Sequence, residues 1–137
     1  MKKYISVVVA LVLGLSVFAQ RDTAVVCYNS PINFDFSATD PDGDSLSYAF
    51  CDGIIGGDNT LAGTRPDPPS PPPYASVFYT PGFSGTQPLG PLVKIDPRTG
   101  IITGTTPNTS GDYVVAVCVS EFRNGFLVGV TRKEIHV

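Results

Sequence analysis

The chain is 137 residues long and carries a formal net charge of −3 with a single histidine. A length of this order suits one domain with one core. The acidic balance excludes a partner bound through its phosphate backbone, because too few basic side chains exist to replace condensed counterions.

Residues 1–19 have the layout of a secretory signal peptide. Lys2 and Lys3 precede the apolar run Ile5 to Phe18, and Val17-Phe18-Ala19 supplies modest or small residues before the expected cut. The run is too short, and too soon followed by polar residues, for a spanning helix, and no second stretch is long enough to cross a bilayer. The mature chain is then expected to cover residues 20–137 as one exported domain, with seven basic against twelve acidic side chains and a net charge of −5. Three cysteines, Cys27, Cys51 and Cys118, enter an oxidising compartment without a CxxC pair or zinc-like spacing. One disulfide and one leftover thiol are expected.

Beyond the leader, apolar residues alternate with polar ones as they do in half-buried strands. Ile32, Phe34 and Phe36 interleave with Asn33, Asp35 and Ser37, and Leu46, Tyr48 and Phe50 with Ser47, Ala49 and Cys51. Between these two runs lies the turn Asp40-Pro41-Asp42-Gly43-Asp44. Residues 52–91 break the rhythm with nine of the thirteen prolines and seven of the fourteen glycines. Asp67-Pro68-Pro69-Ser70-Pro71-Pro72-Pro73 favours polyproline II and cannot sit in a central strand. The aromatic residues Tyr74, Phe78, Tyr79 and Phe83 of this insertion are expected to pack back in part, with one short strand near Ser76–Tyr79. A tight turn follows between short strands at Ile95-Asp96-Pro97-Arg98-Thr99-Gly100-Ile101. Residues 112–121 and 126–137 are Val-rich, as strands prefer. The pattern predicts an all-β antiparallel sandwich.

Asp40, Asp42 and Asp44 stand two residues apart around Gly43, which lets the chain bend tightly. Calcium takes six to eight oxygen ligands, and this spacing can aim three carboxylates at one point. The EF-hand pattern is not met, since Ser45 occupies the glycine position and Cys51 the position of the bidentate glutamate. A calcium site here needs ligands from elsewhere, and Glu121 at a strand end is the candidate. The other reading is a turn in which Asp and Gly serve only the backbone.

Three blocks taken together resemble a known family. They are Phe34-Asp35-Phe36-Ser37-Ala38-Thr39-Asp40-Pro41-Asp42-Gly43-Asp44-Ser45-Leu46-Ser47-Tyr48, then Ile95 to Pro107, then Gly111-Asp112-Tyr113-Val114-Val115-Ala116-Val117. Over roughly residues 22–137 the order is similar to a cadherin-like repeat, and most of all to the dystroglycan-type cadherin-like (Ig-like) repeats of large bacterial surface proteins. The resemblance implies a Greek-key sandwich of about seven strands that serves as a spacer or adhesive module. Cadherins proper bind calcium at junctions between repeats. Asp40, Asp42 and Asp44 match the acidic loop after the second strand, and Glu121 stands where the family commonly has Asp. The long insertion at 52–91 and the cysteines depart from the family.

The topology implied by the resemblance sets the strand at 45–51 antiparallel to that at 112–121. Leu46, Tyr48 and Phe50 then face inward with Tyr113, Val115, Val117 and Val119. Cys51 and Cys118 share the opposite face, which implies a disulfide between them on the outside of the sheet. Cys27 is left over on a strand expected to run along the last one. A fourth cysteine soon after Val137, in a longer protein, is expected to be its partner.

Catalysis finds no support in motifs. There is no GxSxG turn, no metal-binding histidine cluster and no phosphate-cradling glycine loop, so the chain is not expected to be an enzyme. Two readings remain. One is a structural or adhesive module at the cell surface, with neighbouring domains or a surface or matrix ligand as partners and calcium as its one candidate cofactor. The other is a carbohydrate- or ligand-binding module using Tyr74, Phe78, Tyr79 and Phe83, which predicts a solvent-facing row of rings rather than packed ones.

Overall fold

The computed structural model describes residues 23–55 and 72–137. The leader and most of the proline-rich run lie outside the described residues. Six strands form among the described residues: β1 Pro31–Asp35, β2 Ser45–Cys51, β3 Val93–Ile95, β4 Ile101–Thr105, β5 Val114–Arg123 and β6 Phe126–His136. They make two three-stranded antiparallel sheets, in the orders β1-β4-β3 and β2-β5-β6. The chain crosses from one sheet to the other after β1, β2 and β4, the long-connection pattern of a Greek key. No helix occurs among the described residues, and none is long and apolar enough to cross a membrane.

Side-chain alternation decides which residues fill the space between the sheets. Tyr48 on β2, Val115 and Val117 on β5 and Ile135 on β6 meet Phe36, Val93 and Ile102 of the facing sheet, with Leu89 from the insertion closing the core. Leu46, Phe50, Tyr113 and Val119 pack against this cluster, so the inward set implied by the resemblance is the one found. Lys133 also points inward. Its ammonium lies 4.6 Å from the centre of the Phe36 ring, which lets its stem cover apolar surface while its charge meets the ring's negative face.

Two hairpins set the strand phases. In the turn between β3 and β4, one carboxylate oxygen of Asp96 accepts from the N–H groups of Arg98 and Thr99, each at 2.8 Å. Gly100 follows with φ of 74°, and a Cβ there would lie 2.8 Å from the Tyr48 ring. Glycine is therefore required twice, for backbone angle and for space. The same turn is tied to the other sheet, because Tyr48 N–H donates to the Pro97 carbonyl. The second hairpin joins β5 and β6 through Asn124 and Gly125, with φ of 53° and 82°. Two positive φ values in a row give the primed turn that matches strand twist.

Cys51 and Cys118 are disulfide-bonded, with Cα atoms 5.9 Å apart. The register sets Cys51 opposite Ala116 and Cys118 opposite Ala49, so the bridge runs diagonally across the outer face of β2 and β5. That face is not bare. Beyond Cys51 the chain folds back, and Ile54 N–H donates to Glu134 Oε1 on β6.

Where the strands fall short of expectation, the reason is visible. Among the described residues six strands stand in place of about seven, because the described stretch before β1 pairs with β6 only at Thr23, through one parallel bridge to His136. Cys27 is not on a strand along β6. It is an exposed free thiol, and its carbonyl accepts from the buried hydroxyl of Thr106 beside the end of β4. The short strand expected near Ser76–Tyr79 is reduced to one bridge between Ile54 and Ser76.

Candidate metal centre

The corner between β1 and β2 is built on Asp40. Its Oδ1 accepts from the N–H groups of both Asp42 and Asp44 at 2.9 Å, and Gly43 takes φ of 79°. This is an Asx-type turn closed on itself. It carries the chain over one end of the sandwich and delivers Asp44 directly before the first residue of β2.

Glu121 reaches the same end from β5. It lies opposite Leu46 and has the inward phase of Val115, Val117 and Val119. At the rim of the sandwich that phase points a carboxylate toward the corner. Asp40, Asp44 and Glu121 then each offer an oxygen within 4.8 Å of the others, all three half-buried. Segments 77 residues apart in sequence are thereby joined at one point.

Asp42, expected with these three, stands apart. Its side chain is 68% exposed and its Oδ2 accepts from Arg123 Nη2 at 2.9 Å. Carboxylates on alternate residues converge only in a regular strand, and the turn on Asp40 rotates the middle one outward. Arg123 is the residue that the sequence reading missed. Its Nε donates to both oxygens of Asp44 at 3.0 Å, and its Nη2 to Asp44 Oδ2 at 2.6 Å. The signal was present in the alternation, because Arg123 lies two residues beyond Glu121 on the same face.

The charges divide unequally. The Arg123 guanidinium, hydrogen-bonded to Asp44, holds that carboxyl below the usual aspartate range against the opposing effect of burial; the Asp44 side chain is only 8% exposed. Glu121 moves the other way. Its hydrogen bond to Asp44 comes first, then burial, then the charges of Asp40 and Asp44, and together they raise it above the ordinary 4.5. Arg123 is held charged by Asp44 and Asp42. The end of the molecule thus gathers four carboxylates around one guanidinium, an excess of negative charge that a hard cation bound by oxygen would offset.

The four aromatic residues of the insertion do not form one row. Phe78 is 93% exposed and Tyr74 is also exposed. Tyr79 is half-buried and its hydroxyl accepts from Gly53 N–H at 2.9 Å. Phe83 is half-buried against Tyr113, with ring centres 5.3 Å apart. These two rings and the exposed Phe78 line a shallow groove of about 300 Å³ with Tyr113 and the 109–112 turn.

No family model, no curated protein and no solved structure matches the chain.

Proposed function

We propose that the protein is an exported, non-enzymatic sandwich module with a structural or adhesive role at the cell surface, stabilised by calcium at its acidic end. The observation that carries the cation reading is the convergence of Asp40, Asp44 and Glu121. A turn that served only its own backbone would need Asp40, but not a glutamate brought in on an inward phase from β5. Three carboxylates supply part of the six to eight oxygens that calcium takes, and the remainder would come from main-chain carbonyls, water or an adjoining domain.

The structural role is supported by the disulfide staple, by the packing of Tyr79 and Phe83 and by the cadherin-like order of the sequence blocks. Two half-buried rings, one with its hydroxyl committed to Gly53 N–H and one packed on Tyr113, favour a scaffold over a sugar-stacking platform. Export is supported by the leader-like residues 1–19 and by the disulfide, which persists in oxidising compartments.

Thermal unfolding with calcium or with chelator tests the cation site. Calcium at about 100 times its Kd should raise Tm on the order of 10 °C, since a ligand bound only by the native state adds its binding free energy to stability. Glu121→Gln, which keeps the shape of the side chain, should abolish the rise. An equal Tm in calcium and in chelator contradicts the site.

A further inference from the structure

The groove lined by Phe78, Tyr79, Phe83 and Tyr113 has two walls. Residues 77–83 make one. Val77 N–H donates to the Gly53 carbonyl at 3.0 Å, Gly53 N–H to Tyr79 Oη at 2.9 Å, and Phe83 N–H to the Thr80 carbonyl at 3.1 Å. Residues 109–114 make the other, where Tyr113 Oη donates to the Thr109 carbonyl at 2.8 Å. The Phe83 and Tyr113 rings touch and join the walls. Both walls are therefore fixed before anything enters, and a preformed site pays little ordering cost on binding.

Three features narrow what fits. Phe78 is 93% exposed, and beside three other rings it belongs to an apolar patch rather than standing as a stray side chain. Both tyrosine hydroxyls are already committed, so these residues offer a ligand their rings rather than hydrogen bonds. Asp112 lines the same groove and is exposed. The ion pairs among the described residues all use Arg123, so the Asp112 carboxylate has no basic partner there.

We propose that this groove binds a proline-rich segment of a partner protein, in polyproline II form, with arginine or lysine beside its prolines to meet Asp112. Polyproline II has no internal hydrogen bonds and is largely preformed in proline-rich chains, so a shallow aromatic groove can hold it at small entropic cost. The ring of proline needs apolar faces and few hydrogen bonds, which is what the groove supplies. The run from Arg65 to Pro73 in this chain has the prolines, but Asp67 cancels the charge of Arg65. Charge complementarity therefore favours a separate, basic partner. β5 runs from this groove, at Val114, to the cation site at Glu121, and the contact does not depend on that site.

The probe is a hexaproline peptide with arginine at both ends, titrated into the ¹⁵N-labelled full chain. Amide signals of residues 77–83 and 109–114 should shift together and saturate, with a Kd on the order of 0.1–1 mM, while those of residues 40–44 and 121–123 stay in place. Phe78→Ala should leave Tm unchanged, because the ring is exposed, and weaken binding at least about threefold. Asp112→Asn should weaken it roughly two- to fivefold and reduce its salt dependence. A hexaproline flanked by glutamates should bind less tightly than the basic peptide. No saturable shift in the groove overturns the proposal. So does binding that Phe78→Ala leaves unchanged, or that glutamate flanks leave as tight. A peptide of residues 65–73 that binds tighter than the basic one would assign the groove to the chain's own run, and saturation by cellohexaose but not by peptide would assign it to sugars; either result overturns a basic partner.

Discussion

At the acidic end, two carboxyl groups joined by a hydrogen bond respond to pH in opposite senses. Asp44 is held low by Arg123, and Asp96 and Asp35 are held low by hydrogen bonds from Thr99 and Arg98 and from Ser37. A lowered carboxyl contributes stability that is present above its unfolded value, 3.8 here, and is lost as pH falls through the folded value. Glu121 is raised, so its charged form costs stability at neutral pH, and the cost is relieved as pH falls through its folded value and then past 4.5. Without calcium, acidification toward 4.5 should therefore slightly raise Tm before the aspartates lower it below about 3.8. With calcium the sign reverses early, because the metal needs the carboxylate and protonating Glu121 competes with it. Melting curves from pH 7 to pH 3, with and without the metal, check this. A calcium increment unchanged after Glu121 has protonated would separate the metal from that residue.

Among the elements, what could be read from the sequence followed from periodicity. The alternation in 32–36 and 46–50 placed β1 and β2 and their inward faces, because a pleated strand with one dry side permits no other spacing. Turn chemistry at Asp96 and Gly100 placed the first hairpin. The disulfide was legible through the resemblance, since Cys51 and Cys118 have the same phase on neighbouring strands once the topology is assumed. Three features were not legible. Thr23 and Ala24 contact β6, but nothing in their side chains shows that the pairing stops there. The insertion has no period, so the division between packed Tyr79 and Phe83 and exposed Tyr74 and Phe78 could not be deduced. Asp42 needed the turn geometry, which rotates it toward Arg123. The disulfide spans 67 residues, and in the chain-entropy account a loop of that size contributes about 4 kcal/mol. Replacing both cysteines by alanine should lower the unfolding free energy, read from urea midpoints, by about 2–5 kcal/mol. A cost under about 1 kcal/mol would mean that the bridge joins strands already held by the ladder.

As a whole molecule, the sandwich has two ends of different character. The closed end gathers Leu89, Tyr113 and the returning insertion over the core. The other end presents Asp40, Asp44 and Glu121, with Arg123 laid across Asp44 and the apolar tip of β6 beside it. In the proposed linking or adhesive role, a cation bound at this end would fix a corner and a strand end that otherwise meet only through side chains. Titrating calcium into the ¹⁵N-labelled chain at pH 7 tests this most directly. The amide signals of Asp42, Asp44, Glu121 and Arg123 should shift together and saturate, while those of the β3–β4 turn stay in place. Shifts scattered over the surface without saturation, or none in residues 40–44 and 121–123, would contradict it.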